Sequence, residues 1–348
     1  MISVFANKRA PVIALLALAC TGLAAGCSSS SSSSASTSST PATSSGSSAP
    51  AASGSVSIAY ASSLAYLNAH VTDPAFKTAA GYSFTGRAGA SGTLETDIAS
   101  GEITPNVFES VGGDNITPLE PKYTSWYIPY AGTSMVLAYN PKSKYASQFK
   151  AFADGSKPLS GLFSLLETPG LKLGRTDPNI DPQGRDFIYT LELAQAYYHL
   201  PSDTVTKILG GPLASAKSSE IYDEATLPAT LQSGQLDASS AFVTQAIELH
   251  LDYIPLPAAI NLSSGGSATA DAKATIKLNN GKTKSGSPQV IDITIIGTPT
   301  PAAIAFVKYT LSPAGLAQYK AGGFTLIPPA VTGSASSVPS AISSELGG

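Results

Sequence analysis

Two stretches of this chain share one plan, and that plan restricts the fold more than any other feature. SVSIAYASSLAYL (55–67) reads as a short buried strand, a loop of small residues and the start of a helix. YSFTGRAGASGTLETDIASGEITPNVFES (82–110) repeats it: a strand, a Gly/Ser loop at 89–93, an amphipathic helix over 93–100 and a further strand over 106–109. Alternation of strand, loop and helix predicts an α/β fold with mainly parallel sheets flanked by helices. In such sheets ligands gather at the carboxyl ends of the strands, where helix N-termini also point.

TSWYIPYAGTSMVLAYN (124–140) is too long for one ordinary strand, and VIDITIIG (290–297) is a second candidate of the same kind. Read as two crossing strands, they divide the chain into one lobe of 54–134 plus 291–331 and another of 135–290, with a ligand cleft between. Helices are predicted over 191–199 and 224–233. TIKLNNGKTK (275–284) is a hairpin signal in which Asn280-Gly281 supplies positive φ angles. Thr300-Pro301 and Ser312-Pro313 each read as an N-cap followed by proline, and Gly322-Gly323 closes the second of those helices.

The ends carry different information. Lys8 and Arg9 precede an apolar run (11–20) and LAAGC (23–27), which makes 1–26 a secretory signal. The cysteine after Gly26 resembles a bacterial lipobox, although Ala24 stands where leucine is usual and Leu23 comes one residue earlier. Cys27 is then the lipidated first residue, 27–53 a Ser-rich flexible tether, and 332–348 a flexible tail. The only cysteines are Cys20 and Cys27, so the exported domain has neither a disulfide nor a cysteine metal site. Net charge is −3 with no basic block, which argues against a nucleic-acid partner. His70, His199 and His250 are scattered without metal-ligand spacing, and no Gly-x-Ser-x-Gly elbow occurs. No catalytic residue and no metal site are assigned, and the chain is read as a non-enzyme.

One run remains. GRTDPNIDPQGRD (174–186) packs Arg175, Asp177, Asp181, Arg185 and Asp186 into a chain that is only 12% charged. A solvated turn explains it, because turns favour Asp, Pro and Gly. So does one wall of a site for a charged ligand.

Taken in order, the tether, YASSL, GASGTL, WYIPYAGTSMVLAYNPKSKYA, DPNIDPQGRD and GFTLIPPAV resemble the molybdate/tungstate-binding proteins of ABC importers. The nearer likeness is to the branch first recognised in archaea, and it runs from about Ser57 to Val331. The resemblance implies a two-lobed periplasmic-binding-protein fold (type II-like), an extracytoplasmic lipid-anchored monomer, an ABC permease as partner, a small oxyanion as ligand and no cofactor. It implies that Ser63 and Ser91 contact the oxyanion, with Ser62 and Thr133 beside them. Simple helix capping is the alternative for the two serines.

Asp181 matches a position that in the archaeal branch supplies a carboxylate to the metal atom. The second carboxylate of that branch is missing, since counting from Asp237 lands on Ala241, and the family arginine after the loop glycine is replaced by Asp186. Three outcomes follow for Asp181: direct coordination, a backbone N–H facing the ligand, or neutralisation by Arg87, Arg175 or Arg185. Ala241 favours the last two, with the anion held as a tetrahedron by hydroxyl and amide donors. Competing readings are a binding protein for sulfate, phosphate or an organic anion, and a surface lipoprotein without a transport role.

Overall fold

The computed structural model describes residues 54–211, 220–264 and 266–346. The signal, Cys27 and the tether lie outside the described residues. In chain order the strands are β1 (Ser55–Ala61), β2 (Ser83–Gly89), β3 (Val107–Val111), β4 (Trp126–Gly132), β5 (Met135–Tyr139), β6 (Leu173–Gly174) and β7 (Ala238–Phe242). They continue with β8 (Asp252–Pro255), β9 (Thr275–Lys277), β10 (Thr283–Ser285), β11 (Val290–Ile295), β12 (Thr325–Leu326) and β13 (Thr332–Gly333).

β1 is central to one sheet and pairs in parallel with β2 and β3, Ala61 opposite Gly89 and Tyr60 opposite Glu109. Its side chains alternate between two cores, which is why the strand reads as a nearly continuous apolar run. Val56 and Ile58 join Phe76 and Phe306 on one face, while Ala59 joins Leu94, Ile98 and Phe108 on the other. Helix Ser91–Ser100 covers the second face, and helices Asp73–Ala80 and Pro301–Leu311 cover the first.

The strand order is β12-β4-β11-β3-β1-β2 in this sheet and β6-β7-β5-β8 in a second. The 124–140 run divides at Thr133-Ser134, β4 entering the first sheet and β5 the second. β11 lies in the first sheet between β3 and β4. The expected α/β fold with two sheets is present, but the pairing is mixed rather than mainly parallel. β11 runs antiparallel to both β3 and β4, and β5 runs antiparallel to both β7 and β8. Intervening helices do not by themselves make neighbours parallel: β5 and β7 are antiparallel although helices including Ala146–Ala153 and Pro182–Tyr197 lie between them in the chain.

Local signals translate unevenly. Thr300 accepts the Ala303 N–H and Ser312 the Gly315 N–H, each at 3.2 Å, so both predicted caps form. The hairpin turns through 279–281 with Leu278 N–H on the Lys282 carbonyl, and of its Asn-Gly pair only Gly281 takes a positive φ, 82°. The helix predicted over 191–199 starts much earlier, as Pro182–Tyr197, while that predicted over 224–233 is the shorter Leu227–Gln232.

The reading of 332–348 as a flexible tail is corrected as far as Leu346. Thr332 and Gly333 pair with Tyr127 and Trp126, and Val338 and Ile342 are buried in the main core. Low-complexity composition hides two apolar residues that are enough to anchor a short helix, Ser340–Ser343, against Pro301–Leu311. Among the described residues no helix is long and apolar enough to cross a membrane.

Candidate functional site

The carboxyl ends of β1, β2 and β3 lie side by side, and each feeds a tight loop. After β1 comes a 3-10 turn, Ser62–Leu64, and after β2 the helix Ser91–Ser100. Neither serine caps its helix, so the capping alternative falls: Ala61 and Ala90 hold the cap positions, without a side-chain bond. Ser91 Oγ accepts the Val111 N–H at 3.2 Å, which ties the second loop to the end of β3 and leaves the hydroxyl proton free to donate. Ser63 is buried, and its Oγ has no hydrogen-bond partner among the described residues. Such a group costs about 1–3 kcal/mol when nothing satisfies it, so a ligand oxygen is a natural complement.

The opposite wall is charged. Helix Pro182–Tyr197 begins at Asp181, whose Oδ1 accepts the Gln183 N–H at 2.8 Å, with Pro182 in the first helical position. The 175–181 loop folds back so tightly on this first turn that a Cβ on Gly184 would lie 2.4 Å from the Thr176 carbonyl. Arg185 reaches the Pro178 carbonyl (3.4 Å) and Asn115 Oδ1 (3.5 Å), and Asp186 Oδ1 accepts from Gln289 Nε2 (3.0 Å). All three side chains are buried. Burial pushes the Asp181 carboxyl up to about 6, against the pull of the Gln183 N–H and the Arg185 charge. Burial raises Asp186 still further, Arg185 again opposing.

A third buried acid joins them from 220–226. Glu224 Oε1 accepts from Gln183 Nε2 (3.1 Å) and Gln245 Nε2 (2.8 Å). Burial and then the Asp181 charge drive its carboxyl well above the usual range.

Between the two walls lies a cavity of about 720 Å³, within the range of small-molecule sites. Ser62, Gly89, Ala90 and Thr93 line it on one side, and Asp177, Ile180, Asp181 and Glu224 on the other. The Gly92 N–H reaches across to the Ile180 carbonyl at 3.1 Å and joins the walls directly. A Cβ on Gly92 would come within 2.5 Å of that oxygen, so the approach requires glycine.

The expected residues divide accordingly. Ser62 and Asp181 face the cavity, while Ser63 and Ser91 are buried in the loops that carry its neutral wall. Thr133 is set apart: it bonds Thr244 at 3.2 Å where β4 gives way to β5 and does not line the cavity. The backbone N–H of Asp181 does not face a ligand, because it donates to the Asp177 carbonyl at 2.9 Å. Arg87 does not neutralise Asp181, since it pairs with Asp97 at 2.9 Å on the surface. Arg175 is buried near Glu220 and Asp177, which offset the downward push of burial on its guanidinium. The Arg185 charge opposes the rise of Asp181 and Asp186, but its hydrogen bonds go to the Pro178 carbonyl and Asn115 Oδ1 rather than to either carboxylate. Ala241 packs with Val136, Leu227 and Leu231, and Glu224, which the sequence reading treats only as a helix start, lines the cavity beside Asp177, Asp181 and Asp223.

Chemically this is a container. Among the described residues no group of three or more His, Cys, Asp or Glu could hold a metal ion. The model of a protein family described as bacterial extracellular solute-binding protein matches residues 56–325. The chain belongs to that family. A solute-binding protein of Petrotoga mobilis is 29% identical over 232 residues, 63% of this chain and 68% of that one. The molybdate/tungstate-binding protein of Pyrococcus abyssi is 30% identical over 213 residues, 56% of this chain and 60% of that one. This solute-binding protein therefore aligns with between three fifths and about two thirds of those relatives. Among solved structures, the periplasmic molybdate-binding protein of Azotobacter vinelandii superposes with a TM-score of 0.52 at 17% identity, over 78% of this chain and 99% of that one. That likeness shows the periplasmic-binding-protein fold.

Proposed function

We propose that this solute-binding protein captures a tetrahedral oxyanion, molybdate or tungstate, and delivers it to an ABC permease. The two sheets are the cores of two lobes, 54–134 plus 291–331 and 135–290, which close on the anion like a hinge. The unpartnered, buried Ser63 hydroxyl at the strand-end loops carries the reading. Ser91 beside it keeps a free proton to donate, and the Pyrococcus abyssi relative bears the name of a molybdate/tungstate-binding protein. A dianion is held well by several oriented neutral donors, which replace its hydration without a full countercharge. Lipidation of Cys27 anchors the protein, as a monomer, to the outer face of the membrane through the 27–53 tether. Cys27→Ser should release it from the membrane fraction.

Thermal unfolding with molybdate, tungstate, sulfate and phosphate tests the ligand, because an anion that binds only the folded form raises the midpoint. A rise with molybdate and tungstate alone is expected. A rise with sulfate or phosphate alone would reassign the ligand, and no response to any of them would favour a surface lipoprotein without a transport role.

A further inference from the structure

Glu224 is an acid in a cavity proposed to receive an anion, and its two oxygens differ. The residue is 5% exposed and lies on the cavity wall. Oε1 takes two amide donors, from Gln183 and Gln245, whereas Oε2 makes no hydrogen bond among the described residues. Both amides are locked in orientation. Gln183 Oε1 accepts from Ser240 Oγ (3.0 Å), and Gln245 Oε1 accepts from the Phe242 N–H (3.1 Å) and from Gln183 Nε2 (2.7 Å). A carboxyl with one oxygen already holding two N–H groups carries any proton on the other. That oxygen is the one left for the cavity.

We infer that Glu224 is a further anion-contacting residue, its protonated Oε2 donating a hydrogen bond to an oxygen of the bound oxyanion. The inference rests on the oxyanion reading above and adds one residue to that site. An ionised Glu224 would repel the guest and a protonated one receives it, so wherever the empty site has lost this proton, one enters with the anion.

The surroundings favour the proton. The helix packed against Glu224 presents Asp181, Arg185 and Asp186, and Arg185 donates to the Pro178 carbonyl and Asn115 Oδ1. The 175–181 loop brings Asp177 and Arg175, and the segment of Glu224 itself brings Glu220, Tyr222 and Asp223. β7 and the following helix bring the neutral Ser240 and Gln245, and the strand-end loops bring the neutral Ser62 and Thr93. Burial and then the charge of Asp181 hold the proton on Glu224, against the pull of the Gln245 and Gln183 amides on the ionised form.

Calorimetry with molybdate and tungstate between about pH 7 and about pH 9 tests this, in paired buffers of different ionisation enthalpy. The Glu224→Gln variant separates Glu224 from Asp181 and Asp186, whose carboxyls burial also raises. The wild type should lose affinity with rising pH, by up to about tenfold per pH unit, with proton uptake approaching one per anion. Glu224→Gln, which keeps both the Oε1 acceptor and a donor in place of Oε2, should bind within about threefold of wild type near pH 7 and lose the pH slope. Glu224→Ala should bind about tenfold or more weakly, with unfolding midpoints checking that both variants fold. A Gln variant that keeps the wild-type slope, or an Ala variant that binds as tightly as wild type, would overturn the inference and leave the oxyanion reading standing. No binding by the wild type at any pH would overturn both.

Discussion

The two walls of the cavity solve opposite problems. The strand-end wall is neutral, small and pre-shaped: Ser62, Ser63, Gly89, Ala90, Ser91 and Thr93 bring hydroxyls and close backbone but no charge. The facing wall carries Asp177, Asp181, Asp223 and Glu224, while Arg185 and Asp186, buried on the same helix, line a separate small cleft. A carboxylate about 4 Å from a unit negative charge costs about 4 kcal/mol at an effective dielectric of 20, and more against a dianion. The difference teaches a division of labour. On the proposed oxyanion reading, affinity comes from the neutral wall, and the charged wall sets shape and proton content.

Breaking the neutral wall should have the largest consequence. Ser63→Ala with Ser91→Ala removes two hydroxyl donors to a charged guest and should weaken molybdate binding about a hundredfold or more in calorimetry, with the fold intact by circular dichroism. Unchanged affinity would mean that the anion sits elsewhere.

Breaking the charged wall should cost stability first. Arg185→Met leaves Asp181 and Asp186 buried without their cation and should destabilise by about 3 kcal/mol in denaturant titrations near pH 8. The sign with pH follows from the raised carboxyls. Without Arg185 they rise further, so the loss shrinks as pH falls and both take protons.

Between the walls, Gly92→Ala places a methyl group 2.5 Å from the Ile180 carbonyl and should hold the walls apart. Anion affinity should drop about tenfold while the unfolding midpoint moves little. The smallest effect belongs outside the site. Asp292, buried on β11, is raised to about 8 by burial and then by Asp114. Between the ordinary Asp range and that value the folded chain holds a proton that the unfolded chain has lost, so wild-type stability falls as pH rises through this window. Asp292→Asn should raise the unfolding midpoint by a few degrees near pH 8 and change it little near pH 4.

What was legible in the sequence was local. The two strand-loop-helix units are contiguous, so hydrophobic spacing and small residues mark their loops without knowledge of distant contacts, while the family resemblance singles out Ser63 and Ser91 within them. The charged wall was only half legible. Asp181-Pro182 carries the same cap-and-proline pattern that marks helices at Thr300-Pro301 and Ser312-Pro313, yet the surrounding charges draw the reading toward a loop. Glu224 was hidden because its partners Gln183 and Gln245 lie 41 and 21 residues away and no local pattern links them. Val338 and Ile342 were hidden by composition, two apolar anchors in a serine-rich stretch.

The central claim is that uncharged donors hold the anion while the acids of the facing wall stay off the metal. X-ray absorption at the metal edge of the molybdate- or tungstate-loaded protein tests it directly. The account predicts a shell of four short metal–oxygen bonds, those of the free tetrahedral anion. Additional, longer metal–oxygen distances from Asp181 or Glu224 would contradict it.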